Sequence, residues 1–132
     1  MQTFNFVLDS VLNAVVTAGS SLNSTSLDVT KSINATMWIN VAFRSGGTNT
    51  AAIAVTHSSD NSTFAAVPAS ALYNWATGAA ATFTSVSTSA SDETLCLNLQ
   101  QCKRYVRVEI TGTTITQNAA VVFGYQAHYT EA

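Results

Sequence analysis

Charge is scarce in this chain: five Lys or Arg and seven Asp or Glu are spread over 132 residues, for a formal net charge of −2. So weak a field draws in no polyanion, and five basic residues neutralise only a handful of phosphates, so no nucleic acid is expected as a partner. Long apolar runs are also missing. The longest fall far short of the roughly 20 residues that a helix needs to cross a bilayer, and polar residues interrupt each of them, so a soluble protein with no membrane partner is expected. No Lys or Arg precedes Lys31, which leaves the amino terminus without the basic region of a secretory signal peptide, and export is not expected. Asn23, Asn34 and Asn61 each open an Asn-x-Ser/Thr triplet, a pattern that a chain rich in Ser and Thr produces by chance.

Cysteine is nearly absent as well. Cys96 and Cys102 have five residues between them, which matches neither the Cys-x-x-Cys of zinc sites nor a secreted disulfide framework. They read as two reduced thiols, although a bend at Gln100-Gln101 could bring the sulfurs together. With so little charge, the chain also lacks the Glu and Lys that helical surfaces favour. What it has instead is a 47% hydrophobic content mixed with hydroxyl side chains, a balance that suits half-buried strands.

Period-two alternation carries the structural signal. Met37, Ile39, Val41 and Phe43 share one face of an extended segment, and Trp38 lies on the other, which is expected to be covered too. After the polar run 44–50, with Gly46-Gly47, alternation resumes at Ile53, Val55 and His57, and the two segments are expected to pair as an antiparallel hairpin. A second hairpin is expected between Val106, Val108, Ile110 and a long final strand through Val121, Phe123, Tyr125, Ala127 and Tyr129. Weaker strands fall at 64–67, 81–86 and 94–99, separated by breaks at Pro68 and Gly78, while 85–91 reads as a loop or an edge. Residues 11–18 satisfy both helical and extended spacing and are read as a strand. The expected fold class is all-β: a single-domain antiparallel β-sandwich, jelly-roll-like, over residues 1–132, with 1–24 as an amino-terminal extension or edge strand.

Catalytic groups are few. His57-Ser58-Ser59-Asp60 contains the residue types of a Ser/His/Asp site, but neighbours along a strand point to opposite faces, whereas a triad needs one line of hydrogen bonds. Asp60-Asn61 reads better as a turn whose side chains bind local amides. Asp92-Glu93 has no oxygen-ligand spacing around it, so no metal is expected, and no cofactor or enzymatic activity either. Arg107 shares a strand face with Tyr105 and Glu109, as a solvated cross-strand partner or as an interface contact. Phe123 is expected in the core, with Tyr125 and Tyr129 open to either role. Trp38 and Trp75 are ambiguous between core and a stacking platform. Phe4, Phe6 and Leu8 alternate ahead of any turn, as a first strand of the domain or as a segment added to the sheet edge of another chain. The candidate interface residues are therefore Phe4, Phe6, Leu8, Arg107, Tyr125 and Tyr129.

Three stretches together carry a family resemblance. They are Ala51–Pro68, with His57-Ser58-Ser59-Asp60-Asn61-Ser62-Thr63-Phe64 at its centre, then Lys103-Arg104-Tyr105-Val106-Arg107-Val108-Glu109-Ile110, then the alternating segment Ala119–Tyr125. The pattern resembles a family of small structural proteins of tailed bacteriophages akin to capsid decoration, or cement, proteins. In that family a Ser-Asp-Asp-Gly-Ser-x-Phe-like turn precedes a Lys/Arg-Tyr-Val-Arg strand and an Ala/Val-rich last strand. The likeness spans roughly Leu27 to Tyr125. Asn61 stands where the family often has Gly, and Asn23-Ser24-Thr25-Ser26 replaces an Asp-Thr-Thr-Gly opening. The resemblance implies a virion protein on the capsid surface that binds the major capsid protein of an assembled head, as a homo-oligomer and by implication a trimer. The competing expectation is a carbohydrate- or receptor-binding β-sandwich of a phage tail.

Overall fold

The computed structural model describes residues 5–16, 19–43, 51–83, 91–112 and 117–127. Phe4 and Tyr129, the Gly46-Gly47 turn, most of the expected 85–91 loop and part of the expected 81–86 strand lie outside the described residues.

Among the described residues, ten strands make up the framework: β1 (Asn5–Val16), β2 (Ser21–Asn23), β3 (Leu27–Asp28), β4 (Thr36–Phe43), β5 (Ala51–Ser58), β6 (Ala65–Ala66), β7 (Leu72–Tyr73), β8 (Ser91–Asn98), β9 (Tyr105–Gly112) and β10 (Gln117–Ala127). One sheet runs β1-β10-β4-β8-β7, and the other runs β2-β9-β5-β6 with β3 also on β9. Every pairing is antiparallel. The ambiguous segment near Val11 is extended, as β1, where its β-branched residues gain more from a pleated surface than from a helix.

Neither expected hairpin forms. β4 pairs with β10 and β8, whereas β5 pairs with β9 and β6; likewise β9 and β10 belong to different sheets. Alternation specifies which face of a strand turns inward, not which strand lies beside it, and a connection as long as 44–50 does not force pairing as a two-residue turn does. Each of these consecutive strand pairs is therefore divided between the two sheets. The resulting pairs are nested, first strand with last: β1 with β10, β2 with β9, β4 with β8 and β5 with β6. This is the arrangement of a long hairpin, bent at β5–β6 and rolled into two sheets, which defines a jelly roll.

The core lies between the sheets. Met37, Ile39, Val41 and Phe43 from β4 meet Leu95 and Leu97 from β8 and Val121 and Phe123 from β10 on one side, with Val55, Val106, Val108 and Ile110 on the other. Two 3-10 turns, Val29–Lys31 and Leu99–Gln101, are each opened by a side chain that accepts a backbone amide, Asp28 from Thr30 and Asn98 from Gln100. The Asp60 turn takes the form its residues favour. Its carboxylate accepts the N–H groups of Ser62 at 2.9 Å and Thr63 at 3.0 Å and the Ser58 hydroxyl at 2.7 Å, while Asn61 takes a left-handed φ of 59°.

Candidate functional site

The outer face of the β1-β10-β4-β8-β7 sheet holds the unusual surface. Among the described residues, five large apolar side chains stand exposed there or at its margin: Phe6 at 53%, Leu8 at 68%, Val15 at 49%, Trp38 at 44% and Trp75 at 73%. The expectation that the Trp38 side is covered does not hold within the chain. Contiguous exposed aromatics of this kind mark interaction surfaces more often than they occur idly.

Gly124 lets this surface lie flat. It sits on β10 between β1 and β4, and a Cβ there would stand 3.1 Å from Phe6 Cζ and 3.2 Å from Leu8 Cδ2. Both side chains thus lean across β10 at its one bare position. Phe6 then reaches Trp38, edge to face, with ring centroids 5.6 Å apart. Asn34 Nδ2 donates to Gln126 Oε1, and the hydroxyls of Thr36 and Tyr73 are 3.3 Å apart. Asn40 Nδ2 donates to Asp92 Oδ1 at 2.6 Å and to Thr94 Oγ1 at 2.8 Å.

Two depressions flank this array. One, of about 310 Å³, lies among Trp38, Asn74, Trp75, Ala76, Thr94 and Cys96. The other, of about 240 Å³, is lined by Phe6, Asn34, Thr36, Tyr73 and Gln126 and shares Trp38 and Trp75 with the first. Trp38 and Trp75 were each ambiguous in the sequence; the fold brings them to one site.

The other predicted residues scatter. Tyr125 is buried, 5% exposed, and its hydroxyl donates to Asp9 Oδ2 at 2.6 Å; burial, then that bond, pushes its phenol up to about 12. Arg107, on the opposite sheet, places its guanidinium 3.7 Å from the Phe64 ring centroid and donates to Glu109 at 2.8 Å. Its neighbour Arg104 pairs with Asp28 at 3.0 Å, which holds that carboxyl down at about 2. All of these contacts lie within one chain, and the Tyr125–Asp9 bond joins β10 to β1.

His57 and Ser58 point to different faces, as alternation requires. The imidazole Nδ1 accepts the backbone N–H of Lys103 at 3.1 Å, and Ser58 Oγ donates to Asp60, not to His57. Burial lowers the His57 pKa from its usual value. Neither thiol is in a disulfide; burial raises both, Cys102 to about 11, away from the thiolate that reactivity needs. Among the described residues, no three His, Cys, Asp or Glu side chains gather as a metal site would require.

No protein-family model and no curated protein matches this chain. The site therefore has to be read from its own geometry.

Proposed function

We propose that this chain is a virion structural protein, a decoration protein that attaches to the outer surface of an assembled phage head and bridges neighbouring copies of the major capsid protein. The motifs shared with phage cement proteins favour this reading, and jelly rolls serve widely in capsid domains, although fold alone assigns no function. The observation that carries it is β1. Among the described residues this strand of 12 residues ends its sheet, with β10 as its one strand neighbour there, and it presents Phe6, Leu8 and Val15 to solvent. Long apolar edge strands are templates for pairing with another chain, and proteins ordinarily blunt them with Lys or Pro. β1 contains neither; its bulge lies between Ser10 and Leu12, where Thr25 N–H already donates to Val11 O at 2.8 Å, so the stretch offered to a neighbour is Asn5–Ser10.

Attachment by such an edge joins backbone hydrogen bonds to side-chain pockets and needs no reaction or cofactor. A protein that binds the assembled lattice and not its free subunits stabilises the lattice by mass action. Self-association, as a trimer, belongs to the same proposal. The test is co-sedimentation with purified head shells. The protein is expected to pellet with shells and not with unassembled capsid protein, and Leu8→Lys is expected to weaken pelleting at least tenfold with an unchanged melting temperature. Equal pelleting by Leu8→Lys would remove β1 from the contact, and no pelleting by the parent would reject the reading.

A further inference from the structure

Trp75 stands on a turn that its own backbone and side chains hold rigid. Asn74 N–H donates to Ala79 O at 2.9 Å and Gly78 N–H to Asn74 O at 2.8 Å. The Asn74 side chain accepts the N–H of Ala76 at 2.8 Å, and Gly78 takes a φ of 70° that suits glycine. The most exposed of the large apolar side chains is thus mounted on a fixed turn. Across the depression, Trp38 is braced by the edge-to-face contact with Phe6.

The chemistry of the lining limits what fits between them. Among the described residues, neither depression is lined by a Lys, Arg, Asp or Glu side chain, so none of them compensates a charged ligand. The polar groups are carboxamides and hydroxyls, which both donate and accept. A pair of indole faces with such groups around them complements a ring that has apolar C–H faces and a hydroxyl rim. We infer that the Trp38–Trp75 groove is a binding site for neutral oligosaccharides, with a sugar ring on each side of Trp38 because the two depressions share that side chain.

This inference goes beyond the assembly reading and does not depend on it. β7, which leads into the Trp75 turn, is at the opposite edge of the sheet from β1, so a chain attached by β1 leaves the depression between Trp38, Trp75 and Thr94 clear and borders only the second one, which Phe6 lines.

The chain contains two tryptophans, and both are at this site, so intrinsic fluorescence of the isolated protein reads the groove directly. Titration with maltotriose, cellotriose and N-acetylchitotriose, and a screen of immobilised neutral glycans, should find at least one ligand that blue-shifts the emission. Calorimetry should then show binding at least tenfold weaker in Trp75→Ala, with an unchanged melting temperature, and in Trp38→Leu; Trp75→Phe should restore part of it. The inference is overturned if no neutral glycan binds at concentrations up to about 10 mM, if only acidic oligosaccharides bind, or if Trp75→Ala binds as tightly as the parent. A blue shift on concentrating the protein without sugar would assign the groove to self-association instead. Shell binding is measured separately, so failure of either proposal leaves the other standing.

Discussion

Thr56 and Arg107 face each other across the β5–β9 pair, and each keeps one buried polar atom without a hydrogen-bond partner, Thr56 Oγ1 and Arg107 Nε. The Phe64 ring over the guanidinium and the Glu109 carboxylate beside it satisfy the charge but not these two atoms. An unpartnered buried hydroxyl carries its desolvation cost with no return, so a side chain of the same shape without the oxygen should do better. Thr56→Val is expected to raise stability by about 1 kcal/mol in urea denaturation. A loss of similar size would mean that the hydroxyl has a partner in solution.

Phe123 and Val108 are fully buried on the inner faces of opposite sheets. Phe123→Ala should cost about 3–5 kcal/mol and Val108→Ala about 2 kcal/mol, by lost transfer energy and the cavity left behind. Denaturation midpoints equal to the parent would contradict the inward faces assigned to β9 and β10.

Residues Asn5–Ser10 pair with Val122–Ala127 of the same chain. The amino-terminal segment is therefore the first strand of its own sandwich, and its edge, not the whole segment, is what remains for a neighbour. Deleting residues 1–10 is expected to collapse the melting temperature by uncovering β10. A truncated protein that melts normally would contradict the pairing.

Stability should be flat near neutrality and fall on both sides. His57 has a depressed pKa from burial and accepts an N–H at Nδ1, so its contribution is full above about 6.5 and is lost as pH falls below that value. Asp28, held at about 2 mainly by its bond to Arg104, contributes above about 4 and loses this as pH falls toward 2. On the alkaline side, Cys102 and Tyr125 are raised by burial to about 11 and about 12, so their contributions are full below the unfolded values and lost as pH climbs through about 9–12. Urea midpoints measured from pH 2 to pH 12 should trace this profile, and His57→Gln should flatten the slope between pH 5 and pH 7. An unchanged slope in that variant would contradict the role given to His57.

Local features of the fold were legible in the sequence. The inward faces of β4, β9 and β10 follow from alternation, and the Asp60-Asn61 turn follows from the chemistry of those two side chains. Pairing was not legible, because Met37 and Val121 look the same to any apolar partner, and the choice between a hairpin and a crossing lies in the long-range nesting of four strand pairs. For the same reason Trp38 and Trp75 were ambiguous one at a time: they are on different elements, and the groove exists only once β7 has docked on β8. Tyr125 alternates with Phe123 like an ordinary core residue, and its partner Asp9 lies at the far end of the chain.

The proposed attachment through β1 is tested most directly by electron cryo-microscopy of head shells saturated with the protein. The expected density is a β-sandwich on the outer surface, with Phe6 and Leu8 of β1 against a neighbouring chain and the Trp75 turn facing solvent. A bare shell surface, or a bound sandwich whose β1 edge is open to solvent, would contradict it.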